Sequence, residues 1–169
     1  MVGDHSPILT VFYKLIYRNF KNAYFIFLLR DPIDAAYSYS SIKKNPASNP
    51  VYFTWKWNNS IKAYNWIRKQ THAKTLLVRY EDLVTAPNDI SKDILSFLNL
   101  DFEDVIHSNE TESAKDLMGT SKLEFHKNLY KPISDKSVGK GHQHLPLESK
   151  KIVSKKTRKW ANKFGYNKE

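Results

Sequence analysis

The sequence predicts an α/β fold in which helices cover both faces of a parallel sheet. Two short apolar runs, Tyr24–Leu29 and residues 75–79, have the continuous hydrophobic pattern of strands that are buried on both faces. Long helical patterns separate and follow these runs, which is typical of strands joined by crossover helices. Because two strands make a small sheet, we expect further strands upstream or an N-terminally incomplete domain. The length of 169 residues predicts one domain over residues 1–169.

Apolar residues at helical spacing predict five helices, at about residues 7–20, 32–44, 53–68, 90–99 and 147–164. The second has the clearest start, because Asp31 suits the N-cap and Pro32 the first helical position. Residues 45–50 are rich in turn formers. Residues 101–136 give no clear pattern beyond one short helix.

The composition excludes several classes of function. The chain has no cysteine, so disulfide scaffolds, thiolate zinc sites and cysteine nucleophiles are ruled out. We find no cluster of metal ligands and expect no metal. No apolar run approaches the ~20 residues of a transmembrane helix. The first residues lack the pattern of a signal peptide, so a cytoplasmic location is expected.

The net charge of +10 is concentrated near the C-terminus. Residues 122–169 hold 13 Lys and Arg against 4 Asp and Glu. Such a basic region favours an anionic partner, which could be a nucleotide, a nucleic acid, a sulfated glycan or a lipid surface. A solvated lysine-rich helix is the alternative. No motif of a recognised nucleic-acid reader is present, so no specific nucleic-acid partner is expected.

The segment after the first strand has the residues of a phosphate site. Ligands of open parallel sheets bind beyond the carboxyl ends of the strands. Arg30 stands at that end with a planar fork of donors, and a helix N-terminus follows it. Ser38 lies two turns into this helix and could donate to the same anion. The alternative is that Arg30 pairs with Asp34 while Ser38 only packs.

This segment, FLLRDPIDAAYS, resembles the 3′-phosphate-binding segment of sulfotransferases that use 3′-phosphoadenosine 5′-phosphosulfate (PAPS). The resemblance implies that Arg30 and Ser38 contact the 3′-phosphate. After the second strand, YEDL at residues 80–83 is similar to a family segment and places Tyr80 near the adenosine. The endings FLNL at residues 97–100 and FGY at residues 164–166 also resemble family endings. The similarity spans about residues 3–166.

Near the C-terminus, SVGKG at residues 137–141 resembles the family's "SVGRW" loop, which caps the nucleotide. The resemblance therefore implies nucleotide contacts from Gly139, Lys140 and Gly141. Lys140 keeps the positive charge of the usual Arg but loses its bidentate fork. Gly141 replaces the usual Trp, so an aromatic wall beside the nucleotide would be missing.

The opening segment, with His5 in Gly-Asp-His-Ser-Pro, resembles a "GEKTP"-like segment of the family. His5 stands where Lys is common and is the candidate acid–base residue, since histidine titrates near neutrality. The alternative is an exposed histidine near a terminus. The family's Gly-bearing 5′-phosphosulfate loop is not found in this sequence, and its usual base would fall upstream of residue 1.

The resemblance implies a sheet of the P-loop nucleotide-binding type and transfer of a sulfuryl group from PAPS to a hydroxyl or amine. The implied partners are PAPS or adenosine 3′,5′-bisphosphate and an acceptor, for which a carbohydrate is one candidate. A catalytically inactive module that binds a nucleotide or polyanion is the alternative. We expect residues 45–58 and 101–136 to line the acceptor pocket. Their aromatic residues Tyr52, Phe53, Trp55 and Trp57 could line a cleft or fill the core.

Overall fold

A computed structural model describes residues 7–42, 45–100 and 133–166. In chain order the regular elements are α1 (Tyr13–Asn19), β1 (Tyr24–Leu29), α2 (Pro32–Ser40), α3 (Pro50–Ile67), β2 (Lys74–Arg79), α4 (Tyr80–Thr85), α5 (Pro87–Leu98), α6 (Lys140–His144) and α7 (Leu147–Lys163). Short 3₁₀ turns at Pro7–Thr10, Pro46–Ser48 and Asp135–Ser137 complete them.

The chain divides into two compact units. One consists of Met1–Glu81 with Ser137–Glu169, and the other is Asp82–Lys136. The prediction of a single domain stays a prediction. In the second unit, α5 ends at an asparagine as its sequence indicates: Asn99 adopts φ 55°, and the amide of Leu100 donates to the carbonyl of Leu95 at 2.9 Å. A left-handed residue with this bond is a common helix ending.

The sheet lies in the first unit, and β1 pairs with β2 in parallel over six residue pairs. Both predicted strands are confirmed, with β2 beginning one residue earlier than expected. The register places Leu29 opposite Arg79, so both strands end at the same edge. The residues that follow them, Arg30 and Tyr80, therefore emerge side by side.

One face of β1 packs against helices of the first unit. Phe25 contacts Tyr17 of α1, and Phe27 contacts Tyr64 of α3 at a ring separation of 5.3 Å. On the opposite face, Ile26 and Leu28 remain 41% and 58% exposed. The described residues thus give an α/β fold with a small parallel sheet, and they do not confirm a three-layer sheet of the P-loop type.

Helix α2 begins where its sequence predicts and ends earlier. The Asp31 side chain accepts from the amides of Ile33 and Asp34 at 2.8 and 2.9 Å, which satisfies two of the free donors at the helix start. The helix ends at Ser40 instead of continuing to about residue 44. The hydroxyls of Ser40 and Ser41 donate to carbonyls three residues back, and such bonds compete with the helical ones.

Helix α3 begins three residues earlier than its apolar spacing indicates. The Asn49 side chain accepts from the amides of Val51 and Tyr52, and Pro50 takes the first helical position. The turn formers of residues 45–50 therefore act as a helix cap. The buried face of α3 joins a core to which β1, α2, the end of α6 and α7 also contribute: Leu29, Ile33, Ala35, Ala36, Phe53, Trp57, Ile61, Leu145, Val153 and Ala161.

The basic region near the C-terminus contains α6 and the amphipathic helix α7. Val153, Thr157 and Ala161 form the buried stripe of α7, while most of its lysines are exposed. His142 and His144 lie on α6. None of the helices within the described ranges is long and apolar enough to cross a bilayer.

Candidate functional site

Arg30 is held as a flat, oriented group at the end of β1. Its Nη2 donates to the Ser137 carbonyl at 2.8 Å, and its guanidinium lies 4.4 Å from the ring centroid of Tyr80. The face of an aromatic ring attracts a cation that lies over it. A guanidinium held in this way is already ordered, so it loses little conformational freedom when it binds an anion. The buried Nε of Arg30 has no hydrogen-bond partner among the described residues. A guanidinium has several N–H donors, and the Ser137 carbonyl accepts from Nη2, so the group keeps donor capacity for an external acceptor.

Ser137 connects the residues that the sequence placed in separate motifs. Its carbonyl accepts from Arg30, and its hydroxyl shares a hydrogen bond of 2.7 Å with the hydroxyl of Tyr80. Ser137 was not predicted as a site residue, although it opens the SVGKG motif. Its position in that motif was the available signal, but the contact with Arg30 joins residues 107 positions apart. Arg30, Tyr80 and the Ser137 turn thus form one contiguous group.

Arg30 and Ser38 line one cleft of about 380 Å³, as expected for two ligands of the same anion. Lys56, which the sequence analysis did not single out, adds a second cation to this cleft. Its signal was weak, since a lone lysine on a helix is usually solvated. The complete lining is Thr10, Leu28, Leu29, Arg30, Ala35, Ser38, Tyr39, Ala47, Phe53, Lys56, Trp57 and Ser60.

The four aromatic residues at the start of α3 divide into two pairs. Phe53 and Trp57 are buried core residues, and both also line the cleft. Tyr52 and Trp55 are 43% and 48% exposed, and their rings stack on each other at 5.7 Å. The two alternatives, lining a cleft and filling the core, therefore both hold for Phe53 and Trp57. Neither holds for the exposed pair, Tyr52 and Trp55.

The Gly139-Lys140-Gly141 turn is fixed by Asp34 of α2. One oxygen of this buried carboxylate accepts from the Gly139 amide at 2.6 Å, and the other accepts from the Gly141 amide at 2.7 Å. The expected alternative, in which Arg30 pairs with Asp34, is wrong, because each has other partners. Both glycine amides are thus engaged within the protein. The nucleotide contacts implied for the two glycines and for Lys140 stay predictions.

Gly141 is required by packing. It is buried, and a Cβ at this position would meet the carbonyl oxygen of Ile33 and would lie 2.6 Å from the Cα of Asp34. A tryptophan, the residue that the resemblance leads one to expect, would clash with α2 in this backbone arrangement. Lys140 itself is exposed, so its side chain is the part of the turn that reaches solvent.

Glu81, in the first turn of α4, supports the Arg30 segment. One of its carboxylate oxygens accepts from the Asp31 amide at 2.8 Å, and the other accepts from the Tyr166 hydroxyl at 3.0 Å. Burial, together with the nearby Glu81 charge, raises the pKa of Tyr166 well above its usual value, so this phenol stays protonated. The Trp57 indole donates to the Arg30 carbonyl at 3.0 Å. Hydrogen bonds at the Arg30 carbonyl and at the Asp31 amide thus hold the main chain that carries the Arg30 side chain.

Three side chains of the described residues bring metal-type ligand atoms together, namely Asp31, Asp34 and His142. Their atoms already have protein partners. Asp31 caps α2 and lies 3.1 Å from Nε2 of His142, while Asp34 holds the glycine turn. Capping and turn formation thus account for this group without an ion. The candidate acid–base residue His5 lies outside the described residues.

The fold and the site together define a class: an α/β protein with a cationic cleft at the carboxyl edge of parallel strands. A family model described as the Sulfotransferase family matches residues 1–104. The chain therefore belongs to the Sulfotransferase family, which confirms the family that its motifs predicted. No curated protein matches the chain.

Among solved structures, the chain is similar to the "Sulfotransferase Domain from the Curacin Biosynthetic Pathway". The TM-score is 0.65 and the sequence identity is 19%, and the match covers 98% of this chain. At this identity the likeness establishes the fold alone. The chain spans 62% of the length of that domain.

Proposed function

We propose that this chain provides the 3′-phosphate half of a PAPS site, for transfer of a sulfuryl group to a hydroxyl or amine. Arg30 and Ser38 bind the 3′-phosphate in this proposal. Tyr80 backs the Arg30 guanidinium beside the adenosine, and Lys140 adds a cation from the neighbouring turn. Family membership supports the reaction class. The choice of PAPS as donor rests on the motifs around these four residues.

One observation carries the proposal: Arg30 lines a cleft with Ser38 while its guanidinium is already oriented by Ser137 and Tyr80. A phosphate is a good ligand for such a group, because charge-assisted hydrogen bonds from a fixed fork cost little ordering entropy. Lys56 increases the positive potential of the cleft.

The chemistry separates the two ends of the donor. In sulfuryl transfer, the acceptor oxygen or nitrogen bonds to sulfur while the bond between sulfur and the bridging phosphate oxygen breaks. A base takes the acceptor proton, and adenosine 3′,5′-bisphosphate leaves with the electron pair. The 3′-phosphate is unchanged in this step, so contacts to it bind substrate and transition state equally. We therefore expect Arg30 and Ser38 to control nucleotide affinity more than the rate of transfer.

Calorimetric titration with adenosine 3′,5′-bisphosphate tests the proposal, with adenosine 5′-monophosphate as the ligand that lacks the 3′-phosphate. Wild-type protein should bind the bisphosphate with micromolar or tighter affinity. Arg30→Ala should weaken this binding about 10- to 100-fold, since a hydrogen bond to a charged group contributes ~1.5–3 kcal/mol. The same variant should change the weaker monophosphate binding by less than about threefold.

Arg158→Ala is the matched control, because Arg158 is an exposed arginine of α7. It should leave both affinities unchanged. The proposal fails if folded wild-type protein does not bind the bisphosphate, or if Arg30→Ala weakens both ligands equally. A transfer assay with PAPS is the second measurement. We expect little or no transfer by this chain alone, because the sequence does not contain the Gly-bearing 5′-phosphosulfate loop.

A further inference from the structure

We infer that Asp34 is a positioning residue of the nucleotide site, which acts by fixing the turn that carries Lys140. This inference rests on the proposed function, since it assigns to Lys140 a contact with the bound anion. Asp34 does not touch the cleft itself in this assignment. It acts through the backbone on either side of Lys140.

Both oxygens of the Asp34 carboxylate hold the turn. Each oxygen of Asp34 accepts one amide, from Gly139 at 2.6 Å and from Gly141 at 2.7 Å. Hydrogen bonds from a backbone amide to an ionised group are short and roughly twice as strong as neutral ones. The side chain is 2% exposed, so water does not compete for these bonds. The two anchored residues flank Lys140 directly and therefore fix its main chain.

The turn is also held in place by close packing and by contacts at its start. Gly141 packs against the main chain of α2 so closely that a Cβ would not fit. Gly139 adopts φ 80°, a conformation that glycine reaches at little cost. At the start of the turn, Ser137 contacts Arg30 and Tyr80. The turn is thus tied to the Arg30 group at one end and to Asp34 at the other.

The motif suggests a different role for the backbone of this turn. Gly139 caps α6 and Gly141 lies in its first turn, where free amides would be offered to a phosphate. Here a carboxylate of the protein already occupies the Gly139 and Gly141 amides. The exposed Lys140 side chain can still reach an anion from this turn. A lysine on a fixed main chain loses less entropy on binding than one on a mobile loop.

A double-mutant cycle between Asp34 and Lys140 tests the inference, with adenosine 3′,5′-bisphosphate as the ligand. In wild-type protein, Lys140→Ala should weaken binding about five- to tenfold, as for loss of one charge-assisted contact. In the Asp34→Asn background, the same change should cost less than about twofold. Asparagine keeps the shape of the side chain, but its amide group opposes one of the two donors. Arg30→Ala should keep most of its effect in both backgrounds.

Thr157→Ala controls for a general loss of stability. Thr157 is fully buried on α7 and donates to the Val153 carbonyl, away from the turn. It should destabilise the protein while leaving the Lys140→Ala effect at its wild-type size. Equal effects of Lys140→Ala in the wild-type and Asp34→Asn proteins would overturn the inference. Absence of bisphosphate binding by folded wild-type protein would instead refute the proposed function, and with it this role for Asp34.

A measurement on the wild-type protein keeps the inference testable if Asp34→Asn does not fold. The chain has five glycines, so selective ¹⁵N-glycine labelling gives few amide signals. Hydrogen exchange at Gly139 and Gly141 should be slow without ligand, because Asp34 already holds both amides. Saturating bisphosphate should leave these rates within about twofold. Fast exchange that becomes slow only with ligand would show that the ligand orders the turn, and would overturn the inference.

Discussion

The two cationic segments of the proposed site, around Arg30 and around Lys140, are ordered in opposite ways. At Arg30 the side chain itself is held, by the Ser137 carbonyl and by the face of Tyr80. At Lys140 the side chain is exposed, while Asp34 holds the main chain on both sides. The Arg30 segment presents a guanidinium of fixed direction, whereas the Lys140 segment presents a flexible charged side chain on a fixed main chain.

This difference indicates what each position demands of its residue. The planar guanidinium of Arg30 is held by the Ser137 carbonyl and the Tyr80 ring. It therefore recognises an acceptor by direction, and the planar shape of the group is important. A flexible ammonium group on a fixed turn recognises an anion by charge and distance, so several basic side chains could serve. The same difference predicts that backbone changes will be most harmful at the Lys140 turn and side-chain changes most harmful at Arg30.

The largest expected effect is the loss of stability caused by Gly141→Ala, which should push α6 away from α2. The added Cβ would meet main-chain atoms of Ile33 and Asp34, which cannot rotate away as a side chain could. Overpacking of this kind costs ~1–3 kcal/mol, and lost bonds to Asp34 add to it. We expect the free energy of unfolding to fall by about 3 kcal/mol in urea denaturation.

Gly139→Ala is the matched comparison within the same turn. A Cβ at Gly139 meets nothing within 4 Å, so this variant bears only the strain of its positive φ, about 1–2 kcal/mol. A Gly139→Ala variant less stable than Gly141→Ala would show that close packing on α2 does not fix the turn.

Exchanging the two types of cation should give an intermediate and asymmetric effect. Arg30→Lys removes the planar fork that lies over Tyr80 and contacts Ser137, and should weaken bisphosphate binding about tenfold. Lys140→Arg keeps the charge on a flexible side chain and should change the affinity by less than about threefold. Both are measured by calorimetry at one salt concentration. Similar losses for the two exchanges would contradict the distinction between a held side chain and a held main chain.

The smallest effect on stability is expected from Tyr166→Phe, which alters the hydrogen bonds that support the Arg30 segment. This change removes the hydroxyl that donates to Glu81 and lies 3.2 Å from the Leu29 carbonyl, and should cost ~1 kcal/mol of stability. The pKa of Tyr166 is raised in the folded protein, so folding favours its protonated form. Its contribution is therefore fully present below the ordinary tyrosine pKa of 10.0 and is lost as the pH rises above it.

Urea denaturation of the wild-type and Tyr166→Phe proteins at about pH 8 and about pH 10.5 measures this trend. The difference in stability between the two proteins should shrink at the higher pH. A difference that grows with pH would mean that folding favours the ionised phenol, contrary to its burial beside Glu81.

The parts of the fold that were predictable depend on signals within a few residues. The apolar run of β1 and the Asp31-Pro32 start of α2 are local patterns, and both elements begin where these patterns place them. The end of α2 was predicted too far along the chain. The hydroxyls of Ser40 and Ser41 donate to helix carbonyls, and these bonds compete with the helical ones. Helix α6 was missed because its five residues, with a glycine and two histidines, have no apolar repeat.

The site was predictable in the same partial way. Arg30 and Ser38 lie eight residues apart on one strand–helix junction, so sequence spacing was enough to place them on one cleft. Lys56 entered the cleft only through the packing of α3 beside that junction. Such packing depends on buried faces that meet across many residues, and a lone lysine in a helical pattern does not reveal it.

The sequence by itself determined the α/β class, the family and the position of Arg30 at the end of the first strand. These follow from hydrophobic period, helix caps and short motifs, each encoded within about ten residues. Only the tertiary structure decided what those residues do to one another. The bonds of Asp34 to Gly139 and Gly141 and that of Arg30 to Ser137 join residues 105 to 107 positions apart. Contacts over such separations arise from how whole elements pack, since any buried carboxylate must find donors wherever the fold brings them.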